Sequence, residues 1–334
     1  MTPTVTFTDL LPADFDITTL RDDVRHGLSG ARKVLPPRWF YDKIGSELFE
    51  EITKLPEYYP TRTERGILTR HAAEIVATAD PHTLVELGSG SSEKTTLLLD
   101  ELTARRAASD GGGPAGYLAL DVSEDALRGA AASLTERYRD LPIDLTIDLM
   151  RADFAGQLDQ VPAIGHRMVA FLGGTIGNFE PVARAGFLRD LRATLAPGEH
   201  LLLGTDLVKP AEILVPAYDD AAGVTAAFDL NVLEVLNRRL GADFDRTRFE
   251  HRAVWNSEQE WIEMRLRART AVEVTIPDVG VVVRLAQGEE ILTEISAKFR
   301  PEALRRELRA AGFAPAGWWT DDREWFALSL WRAG

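Results

Sequence analysis

An α/β fold, with a doubly wound sheet and a discontinuous second α+β domain, is what the chain predicts on three observations. Short apolar runs alternate with amphipathic helical segments through the middle of its 334 residues. Those runs are apolar throughout, as strands covered by helices on both faces are. Several end in glycine-rich or acidic segments, at the carboxyl ends of the strands, where such sheets bind ligands.

In chain order, residues 1–62 are rich in aromatics and prolines, as in LPPRWFYD and LPEYYPTR. Residues 83–87 (TLVEL) form the first strand of a parallel sheet and run into GSGSS, then a helix over 91–106. Residues 108–116 (ASDGGGPAG) read as a flexible surface loop. Residues 117–121 (YLALD) form the second strand. Ser123 caps the next helix, because Ser-Glu-Asp-Ala leads into a periodic apolar pattern. The third strand is 145–149 and the fourth 167–172 (RMVAFL), followed by GGTIGNF. A helix over 181–195 stops at Ala-Pro-Gly, and 200–204 (HLLLG) is the fifth strand, ending in TDL.

From 207 to 298 the pattern changes to a helix over 223–239 and then strand-like runs. Residues 261–268 place Ile262, Met264, Leu266 and Ala268 on one face. In 291–299 the even positions are Leu292, Glu294, Ser296 and Lys298, so a period of two sets Glu294 beside Ser296. A helix over 301–311 and a strand over 325–331, able to return to the edge of the central sheet, complete the chain. The expected layout is a sheet domain from 63–206 plus 299–334, and a second domain from 1–62 plus 207–298.

Lys and Arg number 38 against 52 Asp and Glu, a net charge of −14. Neutralising phosphates needs clustered cations, so nucleic acid and a polybasic membrane anchor are disfavoured as partners. The chain has no cysteine, which excludes disulfides, thiolate metal sites and Cys nucleophiles. Neither a signal peptide nor an apolar run of membrane-spanning length is visible, so a cytoplasmic protein is expected. His26, His71, His82, His166, His200 and His251 are scattered without ligand spacing, read as structural or surface residues, and predict no metal site.

Val85–Gly90 (VELGSG) is a strand entering a glycine turn, where backbone approaches a ligand closely. Neither the dinucleotide fingerprint nor the phosphate-loop spacing is present. Asp121, at the end of the second strand, can accept two hydrogen bonds from a ligand or simply cap a turn. Asn178, just past the fourth strand, can donate and accept, or serve a Gly-Asn turn. Glu294 and Ser296 share a face that is either wet or lines a site. Tyr58 and Tyr218 each lie near a proline and can equally be packing residues. Met264 reads more readily as core.

Longer segments are more specific. WFYDKIGSELFEEITKLPEYYPTRTE (39–64), FLGGTIGNF (171–179), GTDLVK (204–209), AYDDAAGVTAAF (217–228) and LTEISAKFR (292–300) occur together and in order. ELGSG (86–90) resembles the first motif of class I S-adenosylmethionine-dependent methyltransferases. The whole set closely resembles the L-histidine Nα-methyltransferases of ergothioneine biosynthesis, from about Arg21 to the C-terminus.

That resemblance implies a Rossmann-like methyltransferase sheet, S-adenosyl-L-methionine as methyl donor and no metal. It implies trimethylation of the α-amino group of L-histidine to hercynine, by a monomer with no nucleic-acid or membrane partner. It implies donor contacts from Gly88, Lys94, Asp121, Asp153 and Phe154. Tyr58, Asn178 and Tyr218 would hold the substrate carboxylate, and Tyr41 and Asn178 would face the reacting amine as the catalytic pair. Glu294 and Ser296 would read the imidazole, and Met264 would line that pocket. Tyr41 and Phe49 are candidates to face the growing quaternary ammonium, which aromatic rings attract. Glu294 with Met264 favours imidazole over the indole of tryptophan, and a binding protein without catalysis is the remaining alternative.

Overall fold

A computed structural model of the chain describes residues 2–108 and 113–334. Strands run over β1 (Thr4–Asp9), β2 (Lys33–Val34), β3 (Thr83–Leu87), β4 (Ala115–Asp121), β5 (Leu145–Arg151), β6 (Arg167–Phe171) and β7 (His200–Asp206). They continue as β8 (Phe249–Asn256), β9 (Trp261–Ala268), β10 (Val272–Ile276), β11 (Val281–Leu285), β12 (Glu290–Ala297), β13 (Phe313–Thr320) and β14 (Phe326–Ala333). The helices are α1 (Phe15–Ser29), α2 (Lys43–Lys54), α3 (Tyr59–Ala79), α4 (Thr96–Ala108), α5 (Glu124–Arg137), α6 (Pro181–Thr194), α7 (Ala211–Leu214), α8 (Val224–Leu240) and α9 (Pro301–Ala310).

Among the described residues the large sheet has the order β1-β5-β4-β3-β6-β7-β14-β13. The five expected strands lie at its centre, all parallel. Every residue of β3, β6 and β7 is buried. Alternate residues serve opposite faces: Leu84, Ala170 and Leu202 pack toward α3, α4 and α5, through Ile67, Leu98 and Leu127. Val85, Val169 and Leu201 pack toward α6 and α9, through Leu188 and Leu304. This double burial is why the strands read as unbroken apolar runs.

Three expectations are corrected. The sheet is mixed rather than parallel throughout: β14 runs antiparallel to β7 and β13 antiparallel to β14, so β13 occupies the edge expected for residues 325–331. β1 pairs in parallel with β5, so these first residues join the large sheet and not the piece 1–62 of the second domain. Of the loop expected over 108–116, residues 109–112 lie outside the described residues. Ala108 ends α4, and Ala115 and Gly116 already belong to β4.

A four-stranded sheet, β2-β12-β9-β8, and the hairpin β10-β11 surround a separate apolar cluster with α1, α2 and α8. Leu20, Phe40, Phe228, Val232, Ile262 and Leu266 are among its members. β12 runs antiparallel to β9, with Glu294 opposite Met264 and a register shift between Leu292 and Glu294. The two sheets meet where β12 leaves its own. Leu207 and Phe299 form a parallel bridge, and the Phe299 N–H donates to the Asp206 carbonyl at 2.8 Å. The C-terminal end of β12 is thereby laid against the carboxyl ends of β6 and β7. Among the described residues, no helix is long and apolar enough to cross a membrane.

Candidate active site

β3 ends in a turn that glycine makes possible: Gly88 has φ +66° and Gly90 φ +49°. The Gly88 N–H donates to the Leu120 carbonyl at 2.8 Å, which pins the turn to β4. A Cβ at Gly88 would lie 3.5 Å from Cε1 of Phe154, so any larger side chain there would meet the ring. Asp121 accepts from the Gly90 N–H at 3.0 Å through one oxygen and from the Ser123 N–H at 2.9 Å through the other. Burial raises its pKa against the effect of those N–H groups. Each oxygen keeps a lone pair for a ligand hydroxyl. Beneath the turn, burial pushes the Glu86 carboxyl up to about 7 while it accepts from Thr95 and Tyr117.

The other expected donor contacts are differently placed. Phe154 is half-buried and packs edge-on against Phe171, with ring centroids 5.3 Å apart. Both Asp153 oxygens are already engaged, one by the Ala155 N–H at 2.8 Å and one by Arg38 at 3.1 Å. Lys94 is paired with Glu64, a fully buried carboxylate that also accepts from the Gly173 N–H at 2.8 Å. Sequence reasoning missed Arg38 and Glu64. Ser89 it also missed, and its hydroxyl is buried with no hydrogen-bond partner among the described residues.

These features fit S-adenosylmethionine: a glycine turn that admits backbone approach, a carboxylate with spare acceptors, a ring edge and an unsatisfied hydroxyl.

Across the cleft the expected substrate residues come together. Tyr41 and Phe49 meet edge to face at 5.6 Å, Phe49 and Tyr58 at 6.1 Å, and Tyr58 and Tyr218 at 6.2 Å. Tyr41 is 46 % exposed along this wall. Surrounding protein still raises its phenol pKa, and the nearby Glu294, Tyr218 and Asp121 raise it further. Burial likewise raises Tyr58 and Tyr218, which also feel Glu294. All three phenols therefore stay protonated.

Glu294 is half-buried, and its surroundings push its carboxyl up to about 7. Burial dominates and Asp229 adds to it; Lys298 and His251 oppose. Ser296 is buried and lies 2.8 Å from the Tyr218 hydroxyl. Asn178 ends a short 3-10 turn after β6 that opens on Gly174 at φ +71°. Gly177 presses that turn on β12, since a Cβ there would lie 2.9 Å from the Ala297 carbonyl oxygen. Asn178 is thus held beside the strand that carries Ser296. Met264 is 2 % exposed and sits in the apolar cluster, as its bland reading had it, while facing Glu294 in register.

Several charged neighbours were not anticipated. His251 places Nδ1 2.6 Å from an Asp229 oxygen and Nε2 2.7 Å from the Tyr218 carbonyl. Both partners are acceptors, so both ring nitrogens donate and the ring is a cation. Burial lowers its pKa, but the bond to Asp229 more than reverses this. Asp206, at the end of β7, takes Tyr59 at 2.7 Å, Lys209 at 2.5 Å and Lys298 at 3.0 Å. Burial would raise Asp206, yet the two ammonium groups hold it below the carboxylate range. Burial, and then Lys298 against the pull of Asp206, bring Lys209 down to about 8. The available signal for Lys298 was its even position in 291–299, shared with Glu294 and Ser296.

A sheet of this order, with a glycine turn after β3 and an acceptor carboxylate at the end of β4, is the kind that S-adenosylmethionine-dependent methyltransferases and dinucleotide-binding proteins share. Residues 20–333 match the family described as histidine-specific methyltransferase, SAM-dependent. The chain is 52 % identical over 332 residues to the histidine N-alpha-methyltransferase of Mycolicibacterium smegmatis, covering 98 % of this chain and 99 % of that one. It is 49 % identical over 311 residues to the histidine N-alpha-methyltransferase of Mycobacterium tuberculosis, covering 93 % and 94 %. It is 28 % identical over 296 residues to ergothioneine biosynthesis protein 1 of Schizosaccharomyces pombe, covering 84 % of this chain and 36 % of that one. The chain belongs to the family of histidine-specific, S-adenosylmethionine-dependent methyltransferases.

Proposed function

We propose that the chain, as a single cytoplasmic protein, methylates the α-amino group of L-histidine three times to give hercynine, opening ergothioneine biosynthesis. The observation that carries this reading is the run of contacts from Tyr41 through Phe49 and Tyr58 to Tyr218, which is bonded to Ser296 on the strand that also carries Glu294 and against which the Asn178 turn is pressed. In this reading the unit built from β8 to β12 with α1, α2 and α8 binds the amino acid, and the large sheet binds the donor.

When bound, S-adenosylmethionine supplies a methyl group already activated by its sulfonium. Gly88, Ser89, Asp121 and Phe154 would hold it, with Lys94, steadied by Glu64, at the far end of the turn. Tyr58, Tyr218 and Asn178 anchor the substrate carboxylate with neutral donors, and Glu294 with Ser296 anchors the imidazole. Fixing both ends leaves the amine aimed at the methyl group, at a near-attack distance of about 3–3.5 Å. The amine has to lose a proton before each transfer. None of the three phenols is a ready base, because their pKa values are raised. The proton therefore leaves to solvent past Tyr41, the exposed member of the wall. The faces of Tyr41 and Phe49 accommodate the cation that grows with each transfer.

Incubation with methyl-labelled donor and histidine is expected to yield mono-, di- and trimethylhistidine by mass spectrometry. No label on histidine, or a preference for tryptophan in a substrate panel, would overturn the reading. Gly177→Ala is expected to lower kcat/KM for histidine by about 100-fold, because its Cβ pushes Asn178 out of line. Donor affinity should be retained, which titration calorimetry checks.

A further inference from the structure

Lys298 follows β12, two residues after Ser296, and is 3 % exposed. An ammonium group has three N–H bonds and no acceptor. All three are matched: Tyr218 at 2.8 Å, Ser296 at 2.8 Å and Asp206 at 3.0 Å. Burial disfavours the charge, but Asp206 and Tyr218 more than restore it, so Lys298 stays an ammonium. Tyr218 and Ser296 are also bonded to each other.

The proton count is then closed. Each hydroxyl carries one hydrogen and accepts two bonds. Lys298 fills one acceptor position on each oxygen, and the bond between them uses one of the two hydrogens. The pair therefore shows the cleft one donor and one acceptor. If Tyr218 donates outward, Ser296 can only accept there.

We propose that Lys298 is a positioning residue that sets this polarity: with a carboxylate on Tyr218, Ser296 is left as an acceptor and selects an imidazole that offers it an N–H. The inference rests on the roles of Tyr218 and Ser296 in the proposed function. A neutral imidazole has a single N–H. With that N–H on Ser296, the second ring nitrogen needs a proton from Glu294, or an imidazolium meets the Glu294 carboxylate. In either form the bound pair holds one proton more than a Glu294 carboxylate with a neutral imidazole.

The charges that act on Glu294 are those of Lys298, just past its own strand, Asp229 on α8 and His251 on β8, and Glu294 acts in turn on the phenols of Tyr41, Tyr58 and Tyr218. Its carboxyl titrates at about 7, close to the roughly 6.5 of imidazole, so the two share a proton near neutrality. Above that range, binding has to draw the proton from solution.

Lys298→Met removes the three donors at similar length, and loss of the neighbouring ammonium favours the charged form of Lys209 beside Asp206. Histidine titrations at about pH 8.5, in buffers of different ionisation enthalpy, count the protons exchanged. The amine's own exchange is common to both proteins and cancels. The variant is expected to take up about one proton fewer than the wild type. Its KM for histidine should rise by about tenfold or more, with kcat changed less and donor affinity unchanged. Equal proton uptake with an unchanged KM would overturn the proposal. So would a parallel loss of histidine and donor affinity with a lower melting temperature, which marks a purely structural tie. If Lys298→Met does not fold, Ser296→Ala carries the same proton readout with Lys298 in place. Failure of the wild type to bind histidine would sink the proposed function itself; binding with unaltered variants sinks only the role of Lys298.

Discussion

Glu294→Ala is expected to raise the KM for histidine by about two orders of magnitude while donor affinity stays within about twofold. A hydrogen bond to a charged group contributes about 1.5–3 kcal/mol, and its loss leaves a buried imidazole nitrogen unsatisfied, which carries a similar penalty. A loss of roughly 3 kcal/mol corresponds to a little over a hundredfold. It falls on KM rather than kcat, because the imidazole is remote from the reacting nitrogen and its contacts serve ground and transition states alike. Steady-state kinetics with histidine and calorimetry with the donor check the two halves. Glu294→Gln adds a stability readout. The folded-state pKa of about 7 lies above the ordinary 4.5, so the charged carboxylate opposes folding above about pH 7, and this effect fades to nothing below about 4.5. Glu294→Gln should therefore melt higher than the wild type at about pH 8 and equally at about pH 4.

Asp121→Ala is expected to weaken donor binding by about a hundredfold, with a smaller effect on the affinity for histidine measured at saturating donor. The change removes the acceptor proposed for the donor's hydroxyls and also frees the Gly90 and Ser123 N–H groups that the carboxylate holds. The glycine turn loses its tie to β4 on that side, while the bond from Gly88 to Leu120 remains. Asp121→Asn keeps one acceptor oxygen but turns an NH2 group toward one of those N–H groups. It should fall between the wild type and the alanine variant. Calorimetric titration of the donor separates the three, and unchanged donor affinity in the alanine variant would remove Asp121 from the site.

The central strands were legible because burial on both faces leaves a plain mark, an unbroken apolar run such as TLVEL or HLLLG. The glycine turn was legible because positive φ restricts the residue type. Period two on β12 set Glu294 beside Ser296 before any contact was known. What stayed hidden depends on partners distant in the chain. β1 has exposed threonines, so its sequence does not announce that it pairs with β5. Lys298 and Asp206 look like ordinary surface charges until the bridge at Leu207 and Phe299 buries them together. His251 lacks any ligand spacing, and its charge follows only from having an acceptor at each nitrogen. Tyr58 and Tyr218 carried no local signal; only the family likeness singled them out.

The pairing of β1 with β5 bears on how far the chain can be trimmed. The Leu10 carbonyl accepts from the Gln157 side chain at 3.1 Å, and Gln157 in turn clasps the Asp153 backbone at 3.0 Å. A protein cut back to the family-matched span, which starts at residue 20, would lose this buttress under the Asp153 backbone. It would also bare the outer margin of β5, a template on which two molecules can self-associate. Shortened preparations should accumulate oligomers on storage under conditions where the 334-residue chain does not.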